Sequence, residues 1–488
     1  MTDRIRIEDG STLGATESVC PVCLQRIAAL RIAQDDSVYL HKTCPEHGAF
    51  KTVIWRGVAS YRSWGGANRP ASRPPVCNSK VDKGCPFDCG LCPDHRQHTC
   101  CVVLDVTERC NLACPVCFAS AVSTPKADPG LDEIEAWCRA LLASGGPFNI
   151  HLSGGEPTVR PDLPEMIRRI RALGFSYIQL NTNGLRMALE AEYAGELKAA
   201  GLSCVFLQFD GVTDGVFQTM RGRHLLETKL AAIRNCAQHE LGVVLVPTLV
   251  PGVNTGQIGE ILRTAIALAP AVRAVHFQPI SYFGRYPAEP RDESRITIPE
   301  IIHMIEEQSA GQFKAANFYP ASGENPYCSF HGKFWLHPDG KVVPTARPEA
   351  ASCCGPSPAS TLVQLGAAGL AQGEGARRAQ RFVKQHWAFE TGSTMRPDGP
   401  QDNSDAAGID VTSLDAFLSE SKHSFCVSGM AFQDVWNLDL ERLRECFLHV
   451  LSIDRKLVPL CAYNLTGVDG KTLYRPQFAA RCDAEAIS

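Results

Sequence analysis

The sequence lacks any apolar run long enough to cross a membrane as a helix, which takes about 20 residues. Its most hydrophobic stretch, Gly242 to Val253, is short and is interrupted by Pro247 and Pro251. The first ten residues also lack the apolar run of a secretory signal peptide. Because disulfides persist mainly in oxidising compartments, we expect no disulfide scaffold, and we expect a protein of the reducing cytoplasm.

An excess of charge of one sign is also missing. The formal net charge is −4 over 488 residues, which gives no reason to expect binding to nucleic acid. The length suits roughly three domains, and a 44% hydrophobic content is enough to fill sizeable cores. Cysteine, in contrast, is unusually frequent for its type, with 22 copies. In a reducing compartment that number indicates metal binding.

The first metal motif is a C-x2-C pair, Cys20 and Cys23, followed by a C-x2-H pair, Cys44 and His47. Three thiolates and one imidazole suit a tetrahedral zinc ion, with a mononuclear iron as in rubredoxin as the other possibility. His41 is an alternative to His47. Because the protein would fill all four positions, we predict a structural, zinc-ribbon-like or rubredoxin-like segment over residues 1–58.

A second motif follows a Gly/Pro/Arg/Ser-rich linker between residues 60 and 75. Its thiols have C-x3-C-x2-C spacing, and a fourth cysteine follows them: Cys85, Cys89, Cys92 and Cys100. Four thiolates can close a [4Fe-4S] cluster, so we predict an auxiliary cluster within residues 76–100. Cys77 and Cys101 are alternatives for the fourth ligand, and a second zinc site is the alternative for the whole motif.

A third motif repeats this spacing at Cys110, Cys114 and Cys117 without a fourth cysteine. Three thiolates converging on a [4Fe-4S] cluster leave one iron open to chelation by a substrate or cofactor. Further along, Gly154-Gly155-Glu156-Pro157 ends a predicted strand. The glycines allow a close backbone approach to a ligand, and Glu156 can accept hydrogen bonds from an ammonium group.

These two motifs, at this separation, resemble those of the radical S-adenosylmethionine (SAM) superfamily. The resemblance implies that the open iron is chelated by the amino and carboxylate groups of SAM, and that Gly154 to Pro157 hold the methionine amino group. It also implies that the reduced cluster cleaves SAM to a 5′-deoxyadenosyl radical, which removes hydrogen from a substrate. A reductant such as flavodoxin or ferredoxin would supply the electron.

Between residues 101 and 310 apolar runs alternate with helical patterns, which predicts parallel βα units. The predicted strands are 102–106, 148–152, 177–180, 205–209, 243–250 and 275–280. The predicted helices are 131–142, 163–173, 187–200, 226–236 and 256–268, and Thr297 and Glu300 form a capping box before a last one. Six units imply, by resemblance, an α/β fold with a partial (βα)6 radical SAM barrel. Asn183 and Asp210, at strand ends, are predicted as further SAM contacts.

The remaining residues, 311–488, form a predicted C-terminal region with auxiliary cysteines. A hairpin is expected to turn at Asp339-Gly340, and residues 438–446 have the pattern of an amphipathic helix. The dispersed cysteines that we assign to a second auxiliary cluster are Cys328, Cys426, Cys446 and Cys461. Cys353 and Cys354 are alternatives to Cys426 as the fourth ligand, and separate buried thiols are the alternative to a cluster.

The combination of these cysteine motifs with the tail Pro459-Leu-Cys-Ala-Tyr-Asn464 resembles a narrower group, the class D radical SAM methyltransferases. That group includes pterin methylases and tetraether lipid synthases. The resemblance implies carbon–carbon bond formation, by methylation or alkyl coupling, at unactivated carbon of a pterin, a lipid or another small molecule. A radical SAM peptide maturase and a non-enzymatic iron-sulfur or zinc scaffold are the two alternatives.

Overall fold

The computed structural model describes residues 10–65, 72–121, 127–286, 288–321, 323–337, 340–345, 374–388 and 423–475. The alternative ligands Cys353 and Cys354 and the hairpin residue Asp339 lie outside these ranges. Among the described residues, no helix combines the length and the apolar composition needed to span a bilayer.

The N-terminal segment is an antiparallel meander of four strands in the order β1-β2-β3-β4. The strands are β1 Ser11–Val19, β2 Arg26–Gln34, β3 Ser37–Cys44 and β4 Gly48–Arg56, and α1 Val58–Trp64 follows. Asp35 and Asp36 join β2 to β3 with φ of 48° and 54°, as a two-residue hairpin turn requires. The cysteine motifs lie at the two turns at one end of this sheet, so the meander brings them together.

The predicted βα region forms the parallel strands of a second, larger sheet. These strands are β5 Cys101–Thr107, β6 Asn149–Gly154, β7 Ile178–Thr182, β8 Cys204–Gln208, β9 Gly242–Val246 and β11 Val272–Pro279. All six predicted strands are therefore confirmed. The predicted strand 243–250 is divided at Pro247, which has no N–H to donate, and its second part is the short β10 Thr248–Leu249.

Helices follow the strands, and each of them buries apolar side chains. They are α2 Leu131–Ala143, α3 Leu163–Ala172, α4 Leu185–Leu189, α5 Tyr193–Ala200, α6 Asp214–Arg221, α7 Leu226–Gln238, α8 Ile258–Ala267 and α9 Ile298–Gln308. The single helix predicted over 187–200 is two helices, and α6 was not predicted. The capping box of Thr297 and Glu300 is present at the start of α9, as predicted. Short 3-10 turns are Pro157–Val159, Thr255–Gln257, Asp292–Ser294, Ala315–Asn317 and Pro326–Cys328.

The C-terminal region extends both edges of the larger sheet. Its elements are β12 Ser329–Leu336, β13 Val342–Pro344, α10 Glu374–Trp387, β14 His423–Met430, α11 Leu440–Arg444, β15 Leu448–Leu451, β16 Leu457–Pro459 and α12 Leu460–Asn464. The strand order is β13-β12-β14-β11-β9-β8-β7-β6-β5-β15-β16. β14 is parallel to β11, and β15 is parallel to β5. These two strands therefore extend the parallel part of the sheet beyond the six predicted strands. The predicted hairpin is confirmed as β12 and β13.

Helix α10 lies across the N-terminal ends of the barrel strands. Gln380 Nε2 donates to the Cys100 carbonyl at 3.0 Å, and Lys384 Nζ donates to Ser176 Oγ at 2.6 Å. The Trp387 ring packs against Phe206, with ring centroids 4.9 Å apart. The helix therefore covers the lower end of the barrel, opposite the strand ends that carry the predicted SAM motifs.

Candidate active site and metal centres

The inner faces of the barrel strands line one cavity of about 1350 Å³. Cys101 lies in its wall at the lower end, while Cys110, Cys114, Cys117 and the segment Gly154–Glu156 lie in its wall at the upper end. The structure thus brings the two predicted SAM motifs to the same cavity. They lie at the carboxyl ends of the parallel strands, which is where barrels of this kind normally bind ligands.

The loop that carries Cys110, Cys114 and Cys117 begins where β5 ends, and its backbone packs directly on the glycine motif. Gly155 N donates to the Thr107 carbonyl and Glu156 N to the Arg109 carbonyl, both at 2.8 Å. A Cβ added at Gly154 would lie 2.2 Å from Thr107 O, and one at Gly155 would lie 2.1 Å from Arg109 O. In this structure the glycines are therefore required by the close approach of the cysteine loop.

Arg285 anchors the other end of this loop. Its Nε and Nη2 donate to the Cys114 carbonyl at 3.1 and 2.9 Å. Cys117 N donates to the Arg285 carbonyl at 2.9 Å. Sequence reasoning did not single out Arg285, since it follows β11, far along the chain from the loop that it holds.

The three loop thiols are half-buried and belong to one wall of the cavity. Burial raises the pKa of Cys110 to about 11, and the nearby Glu156, Cys117 and Cys114 add to that effect. A cationic group at this position would lower the thiol pKa values and so favour the thiolate forms, which are the ones that bind metal. The donor set, three thiols of one loop facing a cavity, fits a [4Fe-4S] cluster with one iron open toward that cavity.

Glu156 is 2% exposed, and its carboxylate accepts hydrogen bonds from the ends of two strands. The donors are Thr158 N at 3.1 Å and Oγ1 at 2.6 Å, Thr182 Oγ1 at 2.7 Å and Asn183 N at 2.7 Å. Glu156 thus joins β6 to β7 while it also lines the cavity. Its contact with the methionine amino group of SAM stays a prediction, as does that of Pro157, which begins a 3-10 turn.

Asn183 and Asp210, the other two predicted SAM contacts, lie in different positions. Asn183 lines the cavity, and its Nδ2 donates to Asn111 Oδ1 at 2.7 Å. Asp210 is fully buried and is not part of the cavity wall. Its carboxylate instead accepts from Arg221 Nε at 2.7 Å and Nη2 at 2.9 Å. A direct contact of Asp210 with SAM does not fit this geometry, because Arg221 lies in the cavity wall and Asp210 positions it.

Lys229 was not predicted, because a lysine in an amphipathic helix usually faces solvent. Here the side chain is fully buried, and Nζ donates to the Asn183 carbonyl at 2.6 Å and to Gln208 Oε1 at 3.0 Å. Burial lowers the pKa of Lys229 to about 7, against the opposing effect of Asp210. The lysine therefore connects the ends of β7 and β8 beneath the predicted SAM site.

The four N-terminal ligand candidates converge: the ligand atoms of Cys20, Cys23, Cys44 and His47 all lie within 4.8 Å of one another. His47 Nδ1 is 3.7 Å from Cys20 Sγ and 3.5 Å from Cys44 Sγ, and the Cys23 and Cys44 sulfurs are 3.9 Å apart. Zinc bonds of about 2.0–2.3 Å in a tetrahedron place ligand atoms at roughly these separations. The residues therefore fit the predicted zinc site.

The four thiols predicted to hold the auxiliary cluster are all buried. Cys85, Cys89 and Cys92 are buried and interact with one another, and a hydrogen bond to Cys89 is the main reason that the pKa of Cys85 is lowered. Cys100, by contrast, packs with Ala376 and Phe447 under the barrel. Burial raises the pKa of the Cys100 thiol, which also interacts electrostatically with Cys101, Glu324 and Lys384. The assignment of Cys100 as the fourth ligand beside this triplet stays a prediction.

In the C-terminal region, the thiols of Cys328, Cys446 and Cys461 are near enough to interact electrostatically. Burial raises the pKa of Cys446, and the other two thiols add to the shift. Arg442 donates to the Cys328 sulfur at 3.4 and 3.5 Å through Nε and Nη2. Cys328, Cys446 and Cys461 therefore stay predicted ligands of the second auxiliary site.

Cys426 does not belong to this group. On β14 it pairs with Lys333 of β12, while Cys328 immediately precedes β12. Five residues of extended chain separate Lys333 from Cys328, which corresponds to about 16 Å. The side chain of Cys426 packs instead in an apolar cluster with Cys204 and Phe206. The register of the sheet therefore excludes Cys426 as the fourth ligand beside Cys328.

Two parts of the chain match known families. Residues 104–265 match the Radical SAM superfamily, and residues 12–56 match the HMPTM N-terminal zinc ribbon domain. The first range contains the cysteine loop, the glycine motif and most of the barrel strands. The second range contains all four candidate zinc ligands.

Among curated proteins, the chain is 34% identical over 479 residues to the 7,8-dihydro-6-hydroxymethylpterin dimethyltransferase of Methanocaldococcus jannaschii, covering 92% of this chain and 93% of the relative. It is 25% identical over 327 residues to the bovine molybdenum cofactor biosynthesis protein 1, covering 61% of this chain and 50% of that protein. Among solved structures, Streptococcus suis SuiB bound to S-adenosylmethionine aligns over 43% of this chain and 47% of its own, at 14% identity and a TM-score of 0.36.

Proposed function

Because this chain belongs to the radical SAM superfamily and is a class D-like methyltransferase within it, we propose that it forms a carbon–carbon bond by methylating a pterin. The observation that carries the proposal is the similarity to a pterin dimethyltransferase along nearly the whole of both chains. The arrangement of the cysteine loop and Gly154–Glu156 around one cavity supports the same chemistry.

The chain's own residues would hold the cofactor at the upper end of the barrel. Cys110, Cys114 and Cys117 would ligate a [4Fe-4S] cluster that, with SAM bound, supplies a 5′-deoxyadenosyl radical able to remove hydrogen from carbon. Glu156 would accept hydrogen bonds from the SAM ammonium group. Arg221, fixed by Asp210 in the cavity wall, would pair with the SAM carboxylate.

The size of the cavity supports a second ligand beside SAM. Its volume of about 1350 Å³ exceeds the roughly 300–1,000 Å³ of an ordinary small-molecule site. Helix α10 covers the lower end of the cavity, and its residues Trp387 and Phe382 form part of the apolar cavity wall. Limiting access of water in this way would protect a radical from unproductive reactions.

We assign the other metal sites supporting roles. Cys20, Cys23, Cys44 and His47 would bind a structural zinc ion, because the protein fills every position of the tetrahedron. Auxiliary clusters would be held by two groups of thiols, one formed by Cys85, Cys89 and Cys92 with Cys100 as the predicted fourth ligand, and one that includes Cys328, Cys446 and Cys461. A flavodoxin or ferredoxin would reduce the protein.

The proposal is tested with anaerobically reconstituted protein, dithionite, SAM and 7,8-dihydro-6-hydroxymethylpterin carrying deuterium at its saturated carbons. We expect 5′-deoxyadenosine to form faster when the pterin is present and to contain deuterium taken from it. We also expect pterins carrying one or two added methyl groups in a host that expresses the chain. The proposal would be contradicted if 5′-deoxyadenosine formed at the same rate with and without the pterin and contained no deuterium.

A further inference from the structure

The upper part of the cavity is lined by a layer of polar side chains, one from each of several barrel strands. Its members are Asp105, Ser153, Asn181, Gln208, Thr248 and Gln278. Asp105 is the one carboxylate among these six. It pairs with Ser153 across β5 and β6, two residues before the level at which Thr107 pairs with Gly154. On β6 these two levels are only one residue apart, because the register shifts between Asp105 and Thr107, so a ligand at Asp105 would lie directly below the predicted SAM motif.

Asp105 is held by an arginine from the far end of the chain. Arg475 Nη2 lies 3.0 Å from Asp105 Oδ2. The guanidinium also donates to Asn464 Oδ1 at 3.0 and 2.8 Å and lies 4.9 Å from the centre of the Tyr463 ring. Because Arg475 is fixed on three sides, it fixes the carboxylate too.

The carboxylate of Asp105 is nevertheless poorly satisfied. Neither oxygen has a well-aligned hydrogen bond among the described residues, although both are shielded from solvent, so the ion pair with Arg475 is its main support. Buried acceptors without hydrogen bonds are rare in folded proteins, and functional sites are among the places where they occur. An ionised carboxylate can only accept, so the ligand that suits it presents N–H donors.

We propose that Asp105 accepts two parallel hydrogen bonds from the N–H edge of a pterin ring. This inference rests on the proposed function. A pterin carries a ring N–H beside an exocyclic amino group, and such a pair of donors matches the two oxygens of a carboxylate. The alkyl chains of a lipid substrate offer no donors, so Asp105 would select the heterocycle over the other substrate class of the group.

The test measures binding without turnover. Reconstituted protein with SAM but no reductant is titrated with 7,8-dihydro-6-hydroxymethylpterin and with its analogue lacking the 2-amino group, and pterin fluorescence reports binding. We expect the wild-type protein to prefer the amino compound by about 10- to 100-fold, the range for a hydrogen bond to a charged group. Asp105→Asn, which places an amide donor against the ligand's donors, should weaken pterin binding by a similar factor and lose the preference.

A matched control is Asp469→Asn. Asp469 pairs with Lys471 at a partly exposed turn outside the cavity, so the same change of side chain should leave the affinity and the preference unaltered. The metal content and melting temperature of each variant show whether it has folded. Because the preference is also measured on the wild-type protein, the test does not depend on Asp105→Asn being stable.

The outcomes separate this inference from the proposed function. A wild-type protein that binds the pterin and its deaminated analogue equally overturns the role of Asp105 and leaves pterin methylation in place. Weaker SAM binding in Asp105→Asn with an unchanged preference would assign Asp105 to the cofactor and also overturn the inference. No pterin binding at all, together with no deuterium transfer to 5′-deoxyadenosine, would refute both.

Discussion

Replacing Gly155 by alanine should detach the cysteine loop from the barrel. The added Cβ would lie 2.1 Å from the Arg109 carbonyl oxygen and 2.8 Å from that of Glu108. Both neighbours are backbone atoms, so no side chain can rotate away to make room. The loop must move, although its own ends are held by the Thr107 strand and by Arg285.

The magnitude follows from the contacts that this movement breaks. Two backbone hydrogen bonds, from Gly155 N to Thr107 O and from Glu156 N to Arg109 O, stabilise the loop by about 1 kcal/mol each. Overpacking typically costs a further 1–3 kcal/mol. We therefore expect the native loop conformation to lose about 3–5 kcal/mol of stability. A loss of that size would weaken the binding of a cofactor that depends on the loop geometry by 100-fold or more.

The assay compares iron content after reconstitution, SAM affinity and melting temperature with those of Gly215→Ala. Gly215 is in α6, and a Cβ added there meets no heavy atom within 4 Å. Alanine is favoured over glycine in a helix by about 0.5–1 kcal/mol, so this control should be slightly more stable than the wild type. Full iron content and unchanged SAM affinity in Gly155→Ala would refute the packing argument.

Three further predictions concern the metal sites and the buried lysine. Cys114→Ala should abolish formation of 5′-deoxyadenosine while the zinc content stays the same; retained cleavage would exclude Cys114 as a cluster ligand. Cys461→Ser should reduce bound iron and Cys426→Ser should not, and equal losses would contradict the register argument. Lys229 releases its proton at about pH 7 when folded and near 10.5 when unfolded, so between these values the unfolded chain holds more protons and stability rises with pH. Relative to Lys229→Met, the wild-type protein should gain about 1–3 kcal/mol from pH 7 to pH 9 in thermal unfolding, and parallel curves would show that Lys229 does not titrate in this range.

Sequence reasoning succeeded wherever the signal was local. The six barrel strands follow from short apolar runs, and the spacing of Cys110, Cys114 and Cys117 puts three thiols on one loop whatever surrounds it. Cys20 and Cys23 are likewise close in the chain, and a meander brings them to Cys44 and His47. Strand ends in a parallel sheet share one edge, so the glycine motif was also expected near the loop.

Predictions failed where register or side-chain direction decided the outcome. Cys426 was a plausible fourth ligand until the pairing of β12 with β14 placed it about 16 Å along the strand from Cys328. Asp210 follows a barrel strand, as a SAM contact should, but its side chain turns away from the cavity and holds Arg221. Neither feature has a sequence signature, because each depends on residues far apart in the chain.

By itself the sequence determined the chemistry of this protein: which thiols can act together, which motif accompanies them and which family they indicate. Those properties depend on the spacing of residues that are close in the chain, and such residues must also lie close together in space. Only the tertiary structure decided what faces the cavity. It placed Arg221 and Asp105 in the wall, paired Asp105 with Arg475 across most of the chain length, and set α10 under the barrel, because these contacts arise from the packing of distant elements.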